Sequence, residues 1–313
     1  MPAPPRTSQG KPLTAERTPP LAYLIAGIIC LASALSLGYG AWRIFARRAA
    51  APPSAATGNE PPASNTGTRI DGTTVTQTPQ AATDTPHILE ALPVTGGEVV
   101  LGGEDTERPV RRVFVEPFFV WETEVTNEQY AQFVRESGHP PPSVWKGGEF
   151  PPGTAKDPVT GVKWQDAADF CGWLGEKSGA PARLPTEAEW TRAARGDQHD
   201  SKYPWGKEWD ARAASSGEAR PRAVKSYPAG KSPFGAYDMA GNVWEWVADD
   251  DEEVIEDSET GRPRPIKGKV VKGGAAEEDK AMISAVSRGV FPSETADRWI
   301  GFRCVLQRGG GAR

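Results

Sequence analysis

The chain has 313 residues, with 36 Lys and Arg against 41 Asp and Glu and a formal net charge of −5. That length holds one large domain with appendages or two small domains, and the mildly acidic balance excludes nucleic acid as an expected partner. Three cysteines and three histidines are too few for a disulfide framework or a Cys/His zinc module. Eleven tryptophans beside 34 Gly and 30 Pro predict much irregular structure held by large aromatic side chains.

A short tail, residues 1–20, comes first. No charged residue then occurs between Arg17 and Arg43, and the run from about Leu21 to Trp42 is long enough for a helix that spans a bilayer. It is apolar on every face, unlike a surface helix. A cleaved signal peptide is the alternative, but the run is long for one and Arg43, Arg47 and Arg48 follow its exit. Arg6, Lys11 and Arg17 on the other flank nearly cancel the positive-inside signal. The expected arrangement is a single-pass protein with its N-terminus inside and its C-terminal domain outside.

Residues 43–87 form a linker rich in Pro, Ala, Ser and Thr, unable to bury enough apolar surface to fold. As a flexible coil it would reach roughly 35 Å. The folded domain is placed at 88–308, followed by a tail at 309–313. Glu98 to Leu101 and Arg111 to Val115 read as strands, and Phe118 to Val120 continues the apolar pattern. Thr126 and Gln129 form a capping box, Tyr130, Phe133 and Val134 share one helical face, and Gly138 closes that helix. A second helix runs from about Gln165 to Lys177, with Ala167, Phe170, Cys171 and Leu174 as its buried stripe. Thr186 and Glu189 cap a third that ends at Gly196. Beyond it, YPWG, SPFGAYDMAGNVWEW and VVKGGA read as glycine-punctuated loops. The acidic run Asp249 to Asp257 and the basic run Arg262 to Lys272 read as a solvated surface loop, with a partner-docking insert as the alternative. A final strand is expected from Trp299 to Leu306.

The segments EVTNEQYAQFV, DPVTGVKWQDAADFCGWLGEKSG, ARLPTEAEW, YPWG, FGAYDMAGNVWEWVAD, VVKGGA and IGFRCV, in this order over about residues 92 to 306, closely resemble the formylglycine-generating (sulfatase-modifying factor) domain family. The resemblance implies an α+β, C-type-lectin-like fold with little regular secondary structure, here preceded by one transmembrane helix. Enzymes of this family oxidise a substrate cysteine with oxygen and copper, using two cysteines between the Gly-Gly motif and a later arginine. The matching interval here, Gly273 to Arg288, has no cysteine. Carboxylates such as Glu278 and Asp279 cannot replace soft thiolate ligands for Cu(I), so no copper and no catalysis are expected. An iron-dependent branch of the family draws ligands from a separate helical domain absent from this chain, and His87, His139 and His199 are scattered.

The resemblance also implies a calcium loop, with Asp238 and Glu245 as side-chain ligands and Gly241 and Val243 as carbonyl ligands. The alternative is that the two acids only cap turns. At a second family calcium site, Ser215 stands where an asparagine is usual. The family's substrate groove suggests a binding face around Glu278, Asp279 and Arg288. Cys171 and Cys304 match positions that are disulfide-bonded in secreted relatives, which would favour a periplasmic domain on an inner membrane; a cytoplasmic domain with both thiols buried is the alternative. The expected function is a membrane-anchored, non-catalytic binding or scaffold module with a protein partner in a bacterial envelope complex. The alternatives are a divergent cysteine-oxidising enzyme or its accessory factor, or a sensor domain of a signalling complex.

Overall fold

The computed structural model describes residues 91–103, 108–257 and 260–307. The Leu21–Trp42 run, the linker and His87 lie outside these residues; among the described ones, no helix is long and apolar enough to cross a membrane.

The chain opens with β1 (Ala91–Val94), β2 (Gly97–Gly103), β3 (Arg108–Val115) and β4 (Phe118–Trp121). The first helix, α1 (Asn127–Ser137), starts and stops where its caps dictate. Gln129 N–H donates to Thr126 Oγ1 and Thr126 N–H to Gln129 Oε1 at 2.9 Å, and Gly138 takes the left-handed conformation that ends the helix. α2 (Trp164–Ser178) begins one residue before its expected start. After β5 (Ala182–Arg183), α3 (Glu187–Arg195) carries the second capping box, in which Thr186 N–H donates to Glu189 Oε2 at 2.8 Å. Arg183 holds the same carboxylate through both guanidinium nitrogens at 2.7 Å.

The region expected to be loop contains the longest strands, β6 (Trp244–Glu256) and β7 (Pro263–Lys272). The acidic and basic runs are therefore neighbouring strands, joined by cross-strand pairs such as Lys267–Glu252 and Lys269–Asp250. Charged side chains hid the strand pattern because alternation shows in burial and not in residue type. Val254–Arg264 belongs to a separate compact unit, and within this segment Arg264 pairs with Asp257. The expected last strand is split into β9 (Ile300–Gly301) and β10 (Val305–Gln307), preceded by β8 (Arg288–Phe291). Between β9 and β10 the chain leaves one sheet for another: Val125 N–H bonds Phe302 O and Trp121 N–H bonds Cys304 O.

The sheets follow the orders β1–β4–β10–β5, β2–β3 and β8–β7–β6–β9. β6 and β9 pair in parallel, with Trp244 opposite Ile300. One core gathers Tyr130, Phe133, Phe170, Leu174, Trp246 and Phe302. Tyr130 stacks on Phe170 at 5.6 Å, and the other rings meet largely edge-on. A second core packs Val99, Leu101 and Val115 of the β2–β3 pair against Trp190, Met239 and Val247. A disulfide joins Cys171 of α2 to Cys304, with Cα atoms 5.7 Å apart, and so staples the first helical core to the segment carrying Arg303.

Candidate functional site

Two charged constellations lie on either side of α3. The open one is a cavity of about 280 Å³ between the β2–β3 pair, α3 and the roots of β6, β7 and β8. Its position follows from the capping of α3. Thr186 is spent as the N-cap, so Glu187, the first helical residue, directs its carboxylate sideways into the cavity. Asp249 Oδ2 accepts the Glu187 N–H at 2.6 Å, which places a second acid at the positive end of the helix.

Glu187 is nearly fully buried and meets three cations. Arg288 Nε donates to it at 3.0 Å, Arg111 Nη2 at 3.1 Å, and Lys272 Nζ lies 3.8 Å away. Asp251 meets two: Arg108 Nη1 at 2.5 Å and Arg288 Nη2. Burial opposes ionisation of Asp251, but the Glu252 N–H, Arg288 and Arg108 hold its pKa below the usual carboxylate value. Arg195, at the end of α3, donates to the carbonyls of Val100 and His199. Lys272 is buried, donates to Val286 O at 3.3 Å and lies over Trp190. Burial lowers its pKa to about 8; Glu187 works against the drop, and Arg288, Arg195 and Arg108 add to it. Among the described residues the cavity lining holds five cations, Arg108, Arg111, Arg195, Lys272 and Arg288, and four acids, Glu187, Asp249, Asp250 and Asp251.

The closed constellation surrounds Arg303, which is fully buried. Its guanidinium forks onto both oxygens of Glu245 at 2.7 Å, and Trp190 Nε1 donates to the same carboxylate at 2.7 Å. Glu124 Oε2 lies 3.9 Å from Arg303, and Asn242 Nδ2 donates to Glu124 Oε1 at 2.9 Å. Asp238 Oδ2 accepts from Lys225 N–H at 3.0 Å. Three buried carboxylates therefore face one guanidinium. Burial and the charge of Asp238 raise the Glu124 pKa well above its ordinary value. Burial also pushes Asp238 up to about 6, against the Lys225 N–H bond and Arg303. Asp238 and Asn242 both hold φ near +60°, a conformation that short polar side chains tolerate.

The expected residues separate between these surroundings. Asp238 and Glu245 meet in the closed cluster, on the loop with Gly241 and Val243. Arg288 lines the open cavity, and Glu278 and Asp279 are not among its lining residues. Glu278 turns inward, accepting from Trp244 Nε1 at 3.2 Å and Ala275 N–H at 3.3 Å, and burial pushes its pKa up to about 7. Asp279 is exposed and caps the Ala281 N–H. Ser215 is buried, and His139 sits 3.6 Å from both Asp166 and Asp169. Among the described residues, no group of three or more His, Cys, Asp or Glu side chains is arranged to hold a metal ion. Arg108, Arg111, Glu187, Arg195, Asp251 and Lys272 were missed as site residues. The available signal was the basic strand RPVRR opposite an acid at the first position of a capped helix.

The interval expected to carry oxidase cysteines is filled instead by Ala275, Ala276, Ile283 and Ala285, all buried. Gly274 faces the Met282 carbonyl closely and keeps φ at +82°, so the loop folds back tightly on itself.

The profile of the sulfatase-modifying factor enzyme 1-like domain matches residues 75–308. The chain is 32% identical over 244 residues to a protein named serine/threonine-protein kinase pkn1 of Chlamydia caviae, covering 70% of this chain and 38% of that one. It is 30% identical over 219 residues to the formylglycine-generating enzyme of Thermomonospora curvata, covering 50% and 70%. To the inactive C-alpha-formylglycine-generating enzyme 2 of Mus musculus it is 28% identical over 278 residues, covering 68% and 84%. Among solved structures it resembles PvdO from Pseudomonas aeruginosa, with a TM-score of 0.55, 23% identity, and coverage of 70% of this chain and 94% of the other.

Proposed function

Because the chain belongs to the sulfatase-modifying factor enzyme 1-like domain family, we propose that it uses the family's fold for recognition and not for catalysis. In this reading a helix at about Leu21 to Trp42 anchors it in an inner membrane, and the domain faces the periplasm to bind a protein partner in an envelope complex. The observation that carries the reading is the Gly273–Arg288 interval. It holds no thiol, and buried Ala and Ile side chains occupy its interior. Cu(I) chemistry has no soft ligand there. The relatives include proteins named as enzymes and two named as inactive, so the chemistry of this interval decides the reading.

The test incubates the full-length chain in detergent with copper, oxygen and a cysteine-containing substrate peptide. The expected mass spectrum shows unmodified cysteine; conversion to formylglycine would overturn the reading. Crosslinking in membranes, followed by mass spectrometry, should recover a protein partner. A cysteine-labelling topology assay should find the domain on the outer side.

Calcium belongs to the same proposal. Asp238 and Glu245 by side chain, and Gly241 and Val243 by carbonyl, would hold the ion, which would neutralise the surplus negative charge around Arg303. A proton on Glu124 balances part of that surplus equally well. A calcium titration followed by thermal unfolding separates the two: calcium binding raises Tm after chelator treatment, and a proton alone leaves Tm unmoved.

A further inference from the structure

We propose that Glu124 is a ligand of the calcium ion invoked above, and that Glu245 serves as the counter-ion of Arg303 beside it. The proposal rests on the calcium reading of this cluster and changes one member of its ligand set. The oxygens of Glu245 are already engaged. Oε1 accepts from Arg303 Nη2 at 2.7 Å, and Oε2 accepts from both Arg303 Nε and Trp190 Nε1 at 2.7 Å. Each carboxylate oxygen has a pair of lone-pair sites, so Oε2 has none left for a metal. Glu124 is placed differently. It is fully buried, and its Oε1 accepts from Asn242 Nδ2 at 2.9 Å. Its Oε2 is buried with no hydrogen-bond partner among the described residues. Arg303 Nη2, 3.9 Å from that oxygen, is beyond hydrogen-bonding range and is spent on Tyr237 O and Glu245.

Charge leads to the same assignment. The charged groups that act on Glu124 are Asp238, Arg303 and Glu245. The fork between Arg303 and Glu245 cancels one charge of each sign, which leaves the carboxylates of Glu124 and Asp238. Asp238 lies close enough to hydrogen-bond Glu124, and its Oδ2 accepts from Lys225 N–H at 3.0 Å. The Lys225 amine pairs with Glu122 at 2.6 Å. Adjacent buried carboxylates repel, and a hard divalent cation between them turns that repulsion into attraction. Calcium takes about six to eight oxygens in flexible geometry. The carbonyls of Gly241 and Val243, on the loop that carries Asp238, add to the acids. Asp238 keeps 8% of its surface exposed whereas Glu124 and Glu245 keep none, so the cluster meets solvent at Asp238.

The test uses the full-length chain in detergent after chelator treatment. Terbium(III), a luminescent stand-in for calcium, is titrated in and excited through tryptophan. Trp190 donates to Glu245 at 2.7 Å and so lies close enough to sensitise it. Saturable luminescence that calcium displaces is expected. Glu124→Gln keeps the acceptor for Asn242 and removes one charge. It should weaken both ions at least about tenfold, the lower end of what altered metal surroundings cost. Glu124→Asp, which keeps the charge and withdraws the oxygen, should weaken them by a similar factor. Glu122→Gln, which removes the partner of Lys225, should stay within about twofold of the parent. Parental calcium affinity in a folded Glu124 variant, or an equal loss in Glu122→Gln, would overturn the assignment of Glu124 and leave calcium on Glu245. Absence of calcium-displaceable luminescence in the parent would overturn the calcium reading and the assignment together, with a proton shared by Glu124 and Asp238 as the balancing charge.

Discussion

The Arg288 cavity and the Arg303 cluster are built from the same residue types and have opposite electrostatics. Around Arg303, the buried carboxylates of Glu124, Asp238 and Glu245 converge on one buried guanidinium. Around Arg288, the described lining holds five cations and four acids, and Arg108 and Arg111 reach the surface. Surplus charge in a sealed site must be removed by a proton or a bound ion, because burying an uncompensated charge costs several kcal/mol. Surplus charge in an open site can wait for a soluble partner. The difference seals one arginine in the core and leaves the other beside an open cavity.

The largest expected break in this symmetry is a pair of arginine replacements. Arg303→Met should leave Glu245 buried without its fork and cost about 3–5 kcal/mol, enough to lower soluble yield and shift urea unfolding strongly. Arg288→Met should cost less than about 2 kcal/mol, because Glu187 keeps Arg111 and Lys272 and Asp251 keeps Arg108. Equal losses would show that the two networks carry similar structural weight.

Reduction of the Cys171–Cys304 bridge is the next effect. It opens a sequence separation of 133 residues and should lower stability by about 2–5 kcal/mol, seen as a fall in Tm with dithiothreitol. The bridge anchors the Arg303 segment, while the cavity is walled by other elements. Reduction should therefore leave the ion pairs of the cavity in place, and the cost of Arg288→Met should be the same within about 0.5 kcal/mol in reduced and oxidised protein.

A smaller effect separates proton from calcium in the closed cluster. The folded-state pKa of Asp238 is raised from 3.8 to about 6, so the native state holds a proton that the unfolded chain has lost between those values. Stability from this group is present below about pH 4 and declines as pH rises to about 6, by on the order of 1–3 kcal/mol. Asp238→Asn keeps an acceptor for Lys225 N–H and suits the positive φ. It should flatten the decline and stabilise the protein at neutral pH in chelator. Destabilisation by the same variant only when calcium is present would assign the balancing charge to the ion.

How far each region could be read in advance follows the same contrast. The helices were legible because caps are local: Thr126 with Gln129 and Thr186 with Glu189 fix their boundaries within a few residues. The cysteine-free interval was also legible, since an absent thiol needs no geometry. β6 and β7 were not, because their outer halves are almost uniformly charged and their alternation shows in burial and not in residue type. The cavity was hidden for a different reason. Arg108, Glu187, Asp251 and Arg288 lie up to 180 residues apart in sequence, and only strand pairing and helix packing bring their charges together. Glu278 misled because an acid beside Asp279 and Lys280 reads as surface, whereas the loop turns it under Trp244.

The smallest effect is the titration of Lys272. Burial, with Arg288, Arg195 and Arg108, lowers its pKa to about 8 against the attraction of Glu187. For a base, a folded pKa below the ordinary 10.5 means that the unfolded chain holds more protons between about pH 8 and 10.5. This group's contribution to stability therefore rises with pH across that window. Urea unfolding at about pH 8 and about pH 10 measures the rise directly, and Lys272→Met, if it folds, should reduce it. An equal rise in parent and variant would assign the window to other groups.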